Sequence, residues 1–245
     1  MKRLVVVLIF LISIQNDLFA QGYTVVYEKE LKPKVGNQLN SITDPILKKQ
    51  IEAQLVKVEL YELLHKDGIS SFAKKKDSED KTDGTLELEG TTKKQSVKVI
   101  RMGSNDASTL YKDPKNAIYL EATNLLGKEF LVKDNLTKFE WDVTEEKKPI
   151  GKYICKKATA KVGEKIITAW YTPSIPISDG PSEYYGLPGL IIQLIDDTIT
   201  YNALSVQETS DITITKPTKG KEVTKEAFKK LQQEQIEALK QQYSN

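Results

Sequence analysis

Along most of this chain apolar and polar side chains alternate with a period of two, the spacing of half-buried strands. Val25 and Tyr27 alternate with Thr24 and Val26 in a predicted strand over 22–32. From Val56 the pattern resumes: Val56, Val58 and Leu60 alternate with Lys57, Glu59 and Tyr61. Lys66-Asp67-Gly68 then offers a tight turn, and 69–75 can return as the partner strand. Further short candidates are 96–102, 117–123, 129–133, 138–143, 152–161, 165–171, 190–195 and 199–206. Turn residues separate them at Gly103-Ser104-Asn105, Asp113-Pro114, Asp134-Asn135, Lys148-Pro149-Gly151 and Gly163. Residues 190–195 are apolar on both faces apart from Gln193, which predicts a central strand.

Two segments change period. Asp44-Pro45 reads as an N-cap with proline at the first helical position, and Leu47, Ile51 and Leu55 recur every four residues, so a helix is expected at about 44–54. Lys216-Pro217 ends the strand-like alternation, and Thr224 can cap a second helix over about 224–242. That helix carries only Ala227, Phe228, Leu231, Ile236 and Leu239 as apolar residues, so it docks by a narrow stripe. The mixed charges of 74–81 read as a solvated loop. The expected fold is α+β and mainly β: a curved antiparallel sheet or partial barrel with the two helices.

The first twenty residues read as a leader. Met1-Lys2-Arg3 is a basic start, Leu4 to Ile14 is almost wholly apolar, and cleavage is expected after Ala20. The apolar run is about 11 residues, too short to span a bilayer, and no later segment is long and apolar enough. The expectation is an exported chain, periplasmic, outer-membrane-associated or extracellular, with one domain over 21–245.

Composition removes several function classes. With 36 Lys+Arg against 34 Asp+Glu there is no excess of basic charge to hold nucleic acid. One cysteine permits no intrachain disulfide, and one histidine excludes any multi-histidine metal site. No metalloprotease, P-loop or nucleophile-elbow motif occurs, so no catalytic residue, cofactor or metal is expected. His65, beside the Lys66-Asp67-Gly68 turn, reads as a surface or edge histidine. Cys155 reads as a buried, inert thiol, sharing a face with Lys157 if the strand is regular. Asp179 and Glu183 could pair for glycoside hydrolysis, or simply cap backbone amides at a turn.

The segment from Trp170 to Ile195 differs from the rest. Pro173, Pro176, Pro181 and Pro188 are four of the nine prolines, and each restricts its own φ and the residue before it. Trp170, Tyr171, Tyr184 and Tyr185 flank them. These four are the candidate binding residues, because rigidly held aromatic rings bury much area at little entropic cost; the alternative is that they close the core around a corner. Gly186-Leu187-Pro188-Gly189-Leu190-Ile191 then places glycines where positive φ or close backbone approach is needed.

That hexapeptide does not stand alone. Trp141, the run IGKYICKKAT over 150–159, Ala169-Trp170-Tyr171-Thr172, Ile175-Pro176-Ile177 and Gly180-Pro181 precede it in order. Over 141–195 the chain resembles the GLPGLI family of exported Bacteroidetes proteins. The resemblance implies export and a sheet-based fold; the family has no established activity. The expected function is that of an exported cell-envelope protein, non-enzymatic, binding an apolar small molecule or an envelope protein. The alternatives are an extracytoplasmic hydrolase of peptide or glycan, or a structural partner of an outer-membrane assembly.

Overall fold

The computed structural model describes residues 22–31, 57–75, 85–87, 96–98 and 108–243. The expected leader, the expected helix at 44–54 and most of the polar stretch at 74–81 lie outside them. Strand β1 (Gly22–Leu31) pairs antiparallel with β2 (Lys57–Lys66), and β2 with β3 (Ile69–Lys74). Asp67 and Gly68 both take positive φ between β2 and β3, the two-residue turn whose twist matches its flanking strands. Among the described residues β4 (Thr85–Glu87) and β5 (Ser96–Lys98) pair only with each other. β6 (Thr109–Asp113), β7 (Ile118–Leu125) and β8 (Lys128–Asn135) form a meander, with a single 3-10 turn at Pro114–Asn116 capped by the Asp113 side chain.

A second meander comprises β9 (Asp142–Ile150), β10 (Tyr153–Val162), β11 (Lys165–Thr172), β12 (Leu190–Ile195) and β13 (Ile199–Thr209). The chain closes with β14 (Lys221–Val223) and helix α1 (Lys225–Tyr243). Twelve strands share one sheet in the order β14-β8-β7-β6-β3-β2-β1-β13-β12-β11-β10-β9. Its two ends do not meet, so the sheet is open and not a closed barrel. Among the described residues only β14 against β8 is parallel; every other pairing there is antiparallel.

Several elements depart from the sequence expectation: the three-residue strands β4 and β14 are not predicted, and β9 and β6 differ for identifiable reasons. A strand over 138–143 with a turn at 148–151 becomes one longer strand that runs through Pro149. Proline removes a ladder donor, and β9 tolerates that because it is the outermost strand and has only β10 to satisfy. β6 carries no strand signal because a lysine, Lys112, occupies one of its inward positions.

Register places the core. Tyr23, Val25 and Tyr27 on β1 lie opposite His65, Leu63 and Tyr61 on β2, and these lead on to Ser70 and Phe72 on β3 and to Lys112 and Leu110 on β6. The row continues through Tyr119 and Glu121 on β7 to Val132 on β8. Most of these side chains are buried, under the connection between β11 and β12 and under α1. Tyr61 stacks on Phe72 with centroids 5.0 Å apart. The opposite face has its own small cluster, Tyr111, Leu120 and Leu131, beside a cavity of about 490 Å³ that Pro217 also lines. As expected from the sequence, Thr224 caps α1: its Oγ1 accepts the Ala227 amide at 3.1 Å. Phe228 packs on Phe130 at 5.4 Å. No helix of the described residues is long and apolar enough to cross a membrane.

Candidate functional site

Residues 173–189 leave the sheet between β11 and β12 and fold back over it. The Ile177 amide bonds the Ile175 carbonyl, and the Asp179 amide bonds the Ile177 carbonyl, each at 2.9 Å. The returning strand ties to the same segment: Leu190 donates to the Ile175 carbonyl at 3.1 Å, and Ile191 to that of Asp179 at 3.0 Å. Two glycines make this contact possible. A Cβ on Gly180 would lie 2.7 Å from the Ile191 side chain, and one on Gly189, at φ +150°, 2.2 Å from the Thr172 carbonyl oxygen. From the sheet, the buried Tyr27 hydroxyl donates to the Ile191 carbonyl at 2.6 Å. Trp141 Nε1 donates to the Tyr185 carbonyl at 2.8 Å. The bend is thus held from both sides.

Beneath the bend lies a buried ionic cluster that sequence reading missed. Lys112, with no solvent exposure at all, donates through Nζ to Asp179 Oδ1 at 2.6 Å and to the Gly180 carbonyl at 2.9 Å. His65 Nδ1 lies 2.7 Å from Asp179 Oδ2, and the Gly180 amide donates to Oδ1 at 2.8 Å. Burial alone would raise the Asp179 pKa, but the Lys112 ammonium and the His65 hydrogen bond outweigh it and hold the carboxyl well below the usual range. Ser70 sits between His65 and Lys112 in the cross-strand row, and its buried hydroxyl has no hydrogen-bond partner among the described residues. His65 is therefore an interior residue and not a surface or edge histidine. Its position on β2 shares the inward parity of Leu63, which places it under the bend.

A cavity of about 560 Å³ opens beside the bend, between the sheet and α1. Tyr61, Phe72 and Tyr201 line its aromatic side, and Tyr201 meets both other rings edge-on. The Lys29 ammonium lies 5.1 Å from the centre of the Tyr61 ring. The other side is polar. Glu121 accepts from Ser108 Oγ and from the Tyr119 hydroxyl, both at 2.6 Å. Glu183 pairs with Lys225 at 2.5 Å, and the same ammonium lies 3.7 Å over the Tyr119 ring. Burial, followed by the Glu121 and Glu183 charges, pushes the Tyr119 hydroxyl far above its ordinary value, so it stays protonated and donates its hydrogen bond to Glu121. On α1, Lys225, Phe228, Lys229 and Gln232 face the cavity at helical spacing.

The residues singled out from the sequence are dispersed. Trp170 and Tyr171 lie within β11 and are buried, the former under the Lys148 ammonium at 4.2 Å. Tyr184 and Tyr185 are half-buried and pack with Phe139 and Trp141. None of the four lines the cavity; the bend contributes Ser182 and Glu183 instead. Leu187, Leu190 and Ile191 of the hexapeptide are core residues, and Gly186, Pro188 and Gly189 shape their approach. Asp179 and Glu183 do not act as a carboxylate pair: one is locked to Lys112 and His65, the other to Lys225. A bulge at Lys156–Ala158 breaks the parity of β10, so Lys157 reaches outward to Glu146 at 2.8 Å while Cys155 and Ala158 point inward. Burial pushes the Cys155 thiol up to about 11, which keeps it protonated and unreactive at neutral pH.

Comparison with known proteins adds one family. Residues 161–193 match the family described as a protein of unknown function (Porph_ging). The match runs from the end of β10 through the bend and the hexapeptide into β12, so it falls on the segment that carries the glycine contacts. No curated protein matches the chain. Among solved structures, "Structure of PNGF-II in C2 space group" is similar at 17% identity and a TM-score of 0.53, covering 86% of this chain and 32% of that one. "Structure of PNGF-II in P21 space group" is similar at 18% identity and a TM-score of 0.52, covering 86% and 33%. This chain thus spans about a third of that protein, and the likeness is one of fold.

Proposed function

We propose that this chain is an exported cell-envelope protein of the GLPGLI family that binds an amphipathic small molecule between its sheet and its C-terminal helix. The observation that carries this reading is the cavity of about 560 Å³, a volume in the range of small-molecule sites, with aromatic rings on one side and hydroxyl, carboxylate and ammonium groups on the other. The leader pattern over 1–20 supports export, and the match at 161–193, which contains the hexapeptide, supports the family. A non-enzymatic role fits the chemistry: Asp179 and Cys155 are buried and committed to structure, and the cavity carboxylates are already hydrogen-bonded or ion-paired. A partner protein would meet the surface beside Tyr184 and Tyr185 instead of the cavity.

The test is to purify the full chain from envelope extract, extract it with organic solvent and identify any bound small molecule. A stoichiometric ligand is expected, and the Tyr61→Ala and Tyr201→Ala variants should retain it at least about tenfold less, since each removes a buried aromatic contact. A ligand retained equally by both folded variants would place binding elsewhere. Co-purification of a protein and no small molecule would favour the envelope-partner reading.

A further inference from the structure

We propose that Lys112 and Asp179 condense into an internal isopeptide bond that staples the bend to β6. Two groups beside the pair, the Gly180 amide and His65, and the solvent-excluded interior around it supply what amide formation needs. Lys112 Nζ, the nucleophile, is held 2.6 Å from Asp179 Oδ1 by the fold itself, so no encounter has to be organised. The Gly180 amide donates to Oδ1 at 2.8 Å, where negative charge develops when the carbonyl carbon is attacked. His65 Nδ1 lies 2.7 Å from Oδ2, the oxygen that must leave, and can carry protons to it. The interior is dry and penalises charge: Lys112 has no solvent exposure and Asp179 almost none.

The resting pair is ionised. Moving one proton from Nζ to the carboxyl yields a neutral amine beside a neutral acid, and desolvation favours that form of both groups. Nζ then forms a bond to Cγ; the first proton settles on Oδ2, His65 Nδ1 gives Oδ2 a second and is made good by the second proton that Nζ releases across the carboxyl, and the Cγ–Oδ2 bond breaks with Oδ2 leaving as water. One ammonium and one carboxylate become one amide and one water; His65 ends as it began, and no oxidant or co-reactant enters. The product fits the same surroundings. Its remaining N–H can keep the bond to the Gly180 carbonyl, now 2.9 Å from Nζ, and its oxygen the bond from the Gly180 amide. The unpartnered Ser70 below is small enough to leave the pair undisturbed. A chain with a single cysteine has no intrachain disulfide, and this bond would tie positions 67 residues apart.

Intact-mass spectrometry of the purified, denatured full chain tests the proposal. The expected mass is one water, about 18 Da, below that set by the chain's N-terminal residue. Tryptic digestion should give one branched peptide joining the Lys112 and Asp179 segments. Full mass with the two peptides separate would overturn the proposal, and this reading needs no variant to fold. Lys112→Ala and Asp179→Ala should each restore the full mass. His65→Gln, with sheet signal retained, should leave most chains uncondensed; complete condensation in that variant would overturn the role given to His65.

Discussion

Ser70 occupies the place where a carboxylate has to fit between two cationic or hydrogen-bonding neighbours. His65 and Lys112 flank it on adjacent strands, and Asp179 reaches down to both. The site therefore tolerates loss of the hydroxyl better than added bulk. Ser70→Ala should leave stability unchanged or raise it by about 1 kcal/mol, because a buried hydroxyl with no partner among the described residues has lost its hydration and regains nothing. Ser70→Leu should cost about 2 kcal/mol or more by pushing Asp179 away, and urea denaturation of both variants measures the difference. This cluster was hidden in the sequence for a definable reason. Lys112 sits in a polar-looking stretch before Asp113-Pro114, and a lysine ordinarily signals solvent; only the register that brings β6 beside β3, together with a carboxylate from 67 residues further on, makes its burial tenable.

At the scale of single elements, the bend and its hairpin set tight tolerances. Gly189 combines positive φ with a Cβ position 2.2 Å from a carbonyl oxygen of β11, and neither the Thr172 backbone nor the start of β12 can yield without losing sheet pairing. Gly189→Ala should therefore destabilise the chain by about 3 kcal/mol or abolish folding, read from thermal unfolding or soluble yield. The turn from β12 to β13 rests on Asp196, whose Oδ1 accepts the Thr198 and Ile199 amides, both at 2.7 Å. Burial works to raise its pKa, but these bonds and Lys165 outweigh it and leave the carboxyl lower than usual. Its ionisation thus stabilises the native state fully above the unfolded pKa of about 3.9, and that contribution is lost as pH falls through the lower native value. Between about pH 5 and pH 3, urea midpoints should fall more for the wild type than for Asp196→Asn, which keeps an acceptor but does not titrate. The hairpins and the Thr224 cap were legible because period, turn residue and capping residue are local signals. β9 was not, because Pro149 reads as a stop until the strand is known to lie outermost.

Across the whole molecule, the sequence gives a mainly β chain with a polar C-terminal helix, and the structure agrees. The cavity could not be read in advance. Its lining comes from β1, β2, β3, β6, β7, β8, β13, the bend and α1, and no linear pattern gathers Tyr61, Glu121, Glu183 and Phe228. The four candidate binding residues stand in or beside the bend instead, Trp170 and Tyr171 buried in β11 and Tyr184 and Tyr185 packed with Phe139, while Tyr27 and Trp141 hold the bend by hydrogen bonds. The bend positions the cavity wall through Ser182 and Glu183, so the segment matched to a known family contributes to the site mainly as scaffold.

The open sheet leaves two rims, and neither invites a neighbour. One ends in a strand of only three residues, the other in β9, where Lys147 and Lys148 precede Pro149. A second chain laid along either rim would find few usable backbone donors: three residues on one side, and on the other a strand whose ladder Pro149 interrupts beside the mixed charges of Glu145, Glu146, Lys147 and Lys148. Crowded copies therefore meet a poor template for end-to-end growth at the described edges of the sheet.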